Sequence, residues 1–130
     1  MFWKKRKYRD YELGELTFSC RSWQLETLLN GDELYVDIEG TKDRPDSSAL
    51  RQAKNLLANI TKIRCAAEEY VATAGVEHFT VGHGKLILDG LTSYKDEGRF
   101  DLGFGLSDWD DAIVVVQFID GKPRDIQIGD

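Results

Sequence analysis

GLSDWDDAIVVVQFIDGKPRDIQIGD, residues 105–130, is the stretch on which the fold turns. An acidic segment around Trp109 leads into Ala112–Ile119, which is apolar at every position but Gln117. A run this rich in β-branched residues predicts a strand, and apolar residues on both of its faces predict a central strand covered on both sides. Asp120-Gly121-Lys122-Pro123 predicts a hairpin turn, because Asp and Gly accept turn conformations. Ile126 and Ile128 alternate after it, as a returning strand would.

Upstream, Phe100, Leu102, Phe104 and Leu106 alternate with Arg99, Asp101, Gly103 and Gly105. KDEG at 95–98 predicts a turn, and Lys85–Tyr94 a further strand. Between residues 47 and 75, Leu50, Ala53, Leu57, Ile60, Ala67, Val71 and Ala74 recur at three- and four-residue steps. That spacing predicts an amphipathic helix of roughly 27 residues, in which Asn59 and Thr61, both poor helix formers, leave room for a break. Asp46 or Ser47 suits its N-cap and Gly75 its C-terminal stop. Nearer the start, Leu16, Phe18 and Cys20 alternate, and Arg21-Ser22 can turn the chain. Trp23, Leu25 and Thr27 follow, then the Asn30-Gly31 hairpin signal, then Leu34, Val36 and Ile38 with Tyr35, Asp37 and Glu39 opposite. The expected fold is α+β in one domain, residues 1–130. It is a mostly antiparallel sheet of about seven strands, ordered βββ-α-ββββ, with one long helix packed on one face. The helix covers one side of 112–119. The other side expects a loop, sheet curvature or the second subunit of a homodimer.

The net charge of −6 is unevenly spread. Residues 1–9 hold Lys4, Lys5, Arg6, Lys7 and Arg9 and no acid, and read as a frayed basic tail. The remainder has 12 positive against 23 negative residues, a net of −11. An acidic body repels phosphate, so nucleic acid is not the expected partner. No stretch approaches the ~20 apolar residues of a spanning helix, so no membrane role is expected. Two Cys, with no apolar region after the basic start, lead us to expect a reducing cytoplasm.

Catalytic sets are scarce. Cys20 and Cys65 read as buried or half-buried packing residues, with no base placed beside either. His78 and His83 in EHFTVGH lack companion ligands, so no metal or other cofactor is expected. An EF-hand starting at Asp108 would put Ile113 where Gly is needed and Ile119 where Glu is needed. GHGKL at 82–86 is not followed by the helix of a phosphate loop, and GFG at 103–105 lies inside a strand.

Acidic residues are plentiful. Asp96, Glu97, Asp101, Asp108, Asp110 and Asp111, with Trp109 among them, form the candidate partner-binding region; no catalytic residue is assigned. The polar side of the first strands, around Tyr35, Asp37 and Glu39, is the alternative face.

LGELTF (13–18), Trp23 before NGDELYVDIEG (30–40), the long helix, and FDLGFGLSDWDDAIVVVQFIDGKPRDIQIGD (100–130) carry a resemblance over most of the chain. It resembles a family of small bacterial domains that includes immunity proteins of polymorphic toxin systems. The resemblance implies a non-catalytic module that neutralises a toxin, and brings no catalytic residues with it. Charge complementarity would make that toxin a basic protein. The rival expectations are a small hydrolase using acidic residues and a divalent ion, and a sheet-mediated assembly protein.

Overall fold

The computed structural model describes residues 6–130. Eight strands lie in chain order across one sheet: β1 (Lys7–Asp10), β2 (Gly14–Ser19), β3 (Ser22–Leu29), β4 (Asp32–Glu39), β5 (Leu86–Ser93), β6 (Phe100–Leu106), β7 (Trp109–Ile119) and β8 (Lys122–Gly129). All neighbours pair antiparallel except β4 and β5. That pair is parallel because α1 (Ser47–Ala58), α2 (Ile60–Thr73) and α3 (Glu77–Thr80) return the chain to the end from which β4 began. The class is α+β and the sheet mostly antiparallel, as expected. The counts differ, with eight strands for seven and three helices for one.

The long helix divides at Asn59, inside the Asn59–Thr61 stretch where a break was open to it. Asp46 caps α1, its Oδ1 accepting from the Ala49 N–H at 3.0 Å. Asn59 leaves helical geometry at φ −117°, ψ 24°, and its side-chain amide donates to the Asn55 carbonyl at 2.9 Å. A side chain competing for its own helix's carbonyls explains the division into α1 and α2. Gly75 then stops α2 at φ +79°.

The extra strand comes from the presumed tail. Residues 1–5 lie outside the described residues, but Lys7–Arg9 pair with Glu15–Thr17. Asp10 anchors this hairpin. It is 7% exposed, accepts from the Glu12 and Leu13 N–H groups at 2.8 Å each, and meets Lys54 Nζ at 2.9 Å. Burial pushes its pKa up, but the Lys54 ammonium and the two N–H groups outweigh burial and hold it below the ordinary value.

Asn30-Gly31 and Asp120-Gly121 both take positive φ and join register partners, Leu29 to Asp32 and Ile119 to Lys122. A third two-residue turn is Cys20-Arg21, at φ +53° and +68°. Cys20 is therefore an exposed turn residue, and Cys65 stands exposed on α2. Neither is the packing residue expected. The alternation of Leu16 and Phe18 ends one residue earlier than it reads, because Ser19 pairs with Ser22.

The helices cover one face only, α1 against β4 and β5, α2 against β7 and β8. Trp23, Val36, Ile38, Leu91, Leu102, Phe104, Val114 and Val116 fill the core, and Phe100 stacks on Phe118 at 4.4 Å. Trp23 Nε1 donates to the Thr41 carbonyl at 2.8 Å, and a Cβ on Gly40 would lie 2.8 Å from the same indole. Ser93, fully buried, donates to the Ala49 carbonyl at 2.8 Å and ties α1 to β5.

Ala112–Ile119 is not covered on both sides. Ala112, Val114, Val116 and Phe118 face the core, while Ile113 and Ile119 are 54% and 48% exposed and Val115 is half-buried. The strand is not central either, since only β8 lies beyond it.

Candidate functional site

The acidic residues of 96–111 do not form one patch. Asp96 and Glu97 occupy the turn before β6, and Asp108 the turn after it. The seven residues of β6 separate the two turns by roughly 20 Å. The first turn is clamped to α1 through Gln52, whose amide donates to the Arg99 carbonyl at 2.8 Å and whose Oε1 accepts from the Gly98 N–H at 2.7 Å. The second is docked on residues 83–85. Asp108 N–H donates to the His83 carbonyl at 2.9 Å, and Ser107 Oγ accepts from the Lys85 N–H at 2.8 Å.

Trp109 is half-buried. Its ring lies 4.7 Å from Phe79 and 4.8 Å from His83, centroid to centroid. It packs the short α3 and the following loop against the end of β7. Asp108, Asp110 and Asp111 are exposed around it. Among the described residues, no group of three or more His, Cys, Asp or Glu side chains is placed to hold a metal. Among the described residues no helix is long and apolar enough to cross a membrane.

Asp101 lies well inside the sheet face that no helix covers, and Asp111, two residues before Ile113 on β7, lies at the end of that face. Register defines that face. One row crosses the strands as Glu26, Tyr35, Gly90, Gly103, Val115 and Gln127. The next row reads Gln24, Asp37, Thr92, Asp101, Gln117 and Asp125. The alternative face around Tyr35, Asp37 and Glu39 thus extends over β5 to β8.

Two properties set this face apart. Among the described residues, eight large apolar side chains stand exposed, and five share it: Leu28, Tyr35, Ile87, Ile113 and Ile119. Its acids also lack ion-pair partners among the described residues. No described Lys or Arg forms an ion pair with Glu26, Glu33, Asp37, Asp89 or Asp101. Tyr94 donates its hydroxyl to Asp101 Oδ2 at 2.6 Å, and the Arg99 guanidinium lies 4.6 Å above the Tyr94 ring.

The carboxyl chemistry reflects this. Burial raises the pKa of Asp101 despite the Tyr94 hydrogen bond and the charge of nearby Arg99, and burial with that same bond pushes Tyr94 up to about 12. Asp89 sits where the β5–β6 register slips by one residue, between Leu88 and Gly90. The residue is exposed, yet its carboxyl lies against the backbone of β6, and that partial burial raises its pKa.

Sequence patterns named Tyr35 in this row but did not single out Asp89 or Gly90. A second signal, the outward-pointing Ile113, Val115 and Ile119, read as a covered strand. The chain matches no family model, no curated protein and no solved structure.

Proposed function

We propose that this protein is a non-catalytic binding module whose uncovered sheet face docks on a basic protein. The observation that carries the reading is the coincidence of five exposed apolar side chains with acids that have no described cation partner, on one face. Clustered exposed apolar surface marks interaction sites, and its apolar area supplies the affinity. Uncompensated carboxylates supply steering and choice of partner. Neutralising a basic toxin, as an immunity protein does, is one form of this function and fits the charge. Asp96, Glu97, Asp108, Trp109, Asp110 and Asp111 then lie at the two ends of the face as rim, with Asp101 inside it.

Face-to-face homodimerisation is the second reading, favoured by the same apolar residues. It would bring the acids of two copies together, which opposes it. Light scattering across protein concentration separates the two. A monomer that captures a basic protein supports the docking reading, and a dimer lost on Ile113→Lys supports self-association.

A further inference from the structure

The outer side of β8 pairs with nothing among the described residues. Such an edge is a template for another chain unless something blunts it. The opposite edge, β1, has four residues to the eight of β8 and carries Lys7 and Arg9. On β8 only the first half is blunted. Pro123 brings no N–H, and the β7–β8 register slips at Arg124. From Asp125 to Gly129 the strand runs regularly opposite residues 113–117. Ile128 stands 38% exposed there, with Ile126 half-buried beside it.

Successive N–H groups along a strand point to opposite sides. Pro123 has no N–H to give β7, so its position faces outward. Arg124 is the extra residue of the slip and moves the count by one, which makes Ile126 and Ile128 the outward residues. The Ile126 N–H agrees with that count, since it donates to its neighbour's carboxylate, Asp125 Oδ1, at 2.8 Å. A side chain that takes a backbone N–H in this way withholds it from a ladder.

The occupant withheld from the edge is a second copy of the chain. Two β8 strands set antiparallel about a twofold axis at Gln127 place Ile126 of each against Ile128 of the other, and Arg124 against Asp130. That register matches apolar with apolar and cation with anion. Neither Arg124 nor Asp130 has an ion-pair partner among the described residues. Each Ile126–Ile128 pair would exchange two backbone hydrogen bonds, one of them from the Ile126 N–H. Asp125 holds that donor, and so removes half of the bonds that would join the copies.

We propose that Asp125 guards the β8 edge and keeps two copies of this chain from joining into one continuous sheet. The guard goes beyond the docking reading and does not depend on it.

Light scattering across protein concentration, on the full chain alone, tests it. The unsubstituted chain should be a monomer. Asp125→Ala removes the acceptor and should tighten self-association about tenfold. Asp125→Val, suited to a strand, replaces it if the Ala variant does not fold. Asp125→Asn keeps an acceptor oxygen and should stay monomeric. Adding Ile128→Pro to Asp125→Ala removes an outward donor without touching the β7 ladder, and should abolish the dimer. Ile128→Lys serves in its place if the proline variant does not fold. Amide exchange reads the guard directly. The Ile126 N–H should exchange more slowly than the Ile128 N–H, and Asp125→Ala at monomer concentration should remove the difference. Three results would overturn the proposal: folded Asp125→Ala that stays monomeric at every concentration, Asp125→Asn that associates as strongly as Asp125→Ala, or a dimer that survives the change at Ile128. A dimer of the unsubstituted chain that Ile128→Pro breaks would also overturn it, by showing the edge unguarded. None of these outcomes bears on capture of a basic partner, so the two readings fail separately.

Discussion

Tyr35 and Gly90 are register partners across the parallel pair β4–β5, a half-exposed ring beside a residue with no side chain. Parallel pairing brings residues 55 positions apart in sequence into one row, next to Gly103 and Val115. That row is the centre of the proposed binding face.

One-sided burial of β7 separates neighbouring residues. Val116 is fully buried, so Val116→Asp places a carboxylate in the core and should cost several kcal/mol. Val115 points to the uncovered face, and Val115→Asp should shift stability by about 1 kcal/mol or less. Urea denaturation of the two variants checks this, and equal losses would mean that both faces are covered.

Asp10 carries a pH signature. Its folded pKa lies below its unfolded value, so the stability it adds is present above about 3.8 and is lost as pH falls through the lower folded value. Asp10→Asn should lower stability at neutral pH by about 2 kcal/mol, since hydrogen bonds to a charged acceptor are weakened and Lys54 loses its partner. The difference from the unsubstituted protein should shrink toward pH 2 as Asp10 itself protonates. Denaturation curves at several pH values measure it.

These two cases also mark how far the sequence could be read. Asn30-Gly31, Asp120-Gly121, the Asp46 cap and the alternation of Phe100 to Leu106 are local, and each produced the element expected of it. Strand β1 was missed because KYRD has no apolar alternation; register with β2 and the ion pair of buried Asp10 with half-buried Lys54 hold it. Val115 was misread because an outward apolar residue serving a surface has the same letter as one serving a core. The pairing of Gly90 with Gly103 was invisible, since they become neighbours only after β5 pairs with β6. Of the expected acidic region, the residues are real surface features, but distance along β6 divides them.

Trp109 should act as a packing residue. Trp109→Ala removes its contacts with Phe79 and His83 and should destabilise the fold by about 2 kcal/mol. Amide exchange should speed up most at residues 77–85. A variant with unchanged stability and unchanged exchange would show that the stacking contributes nothing to the fold.

Binding should weaken in acid. Protonating Asp89 and Asp101 removes the charge that attracts a cation, and burial sets both pKa values above the ordinary 3.8. Affinity for a basic partner should therefore begin to fall at a pH above that of an ordinary carboxylate. Asp89→Asn with Asp101→Asn should flatten that fall. Added salt should slow association at any pH, because the screening length shrinks from about 10 Å at 0.1 M to about 3 Å at 1 M.

The most direct measurement is quantitative affinity capture from the source cell by three folded forms of the protein. These are the unsubstituted chain, a face variant carrying Asp37→Lys, Asp101→Lys and Val115→Lys, and an end-loop variant carrying Asp108→Lys, Asp110→Lys and Asp111→Lys. Melting curves first establish that all three fold. The account predicts that a basic protein is retained by the unsubstituted chain, lost from the face variant, and retained by the end-loop variant with slower association. Retention of the same basic protein by the face variant, together with its loss from the end-loop variant, would contradict the account and move the binding surface to the end of the sheet around Trp109.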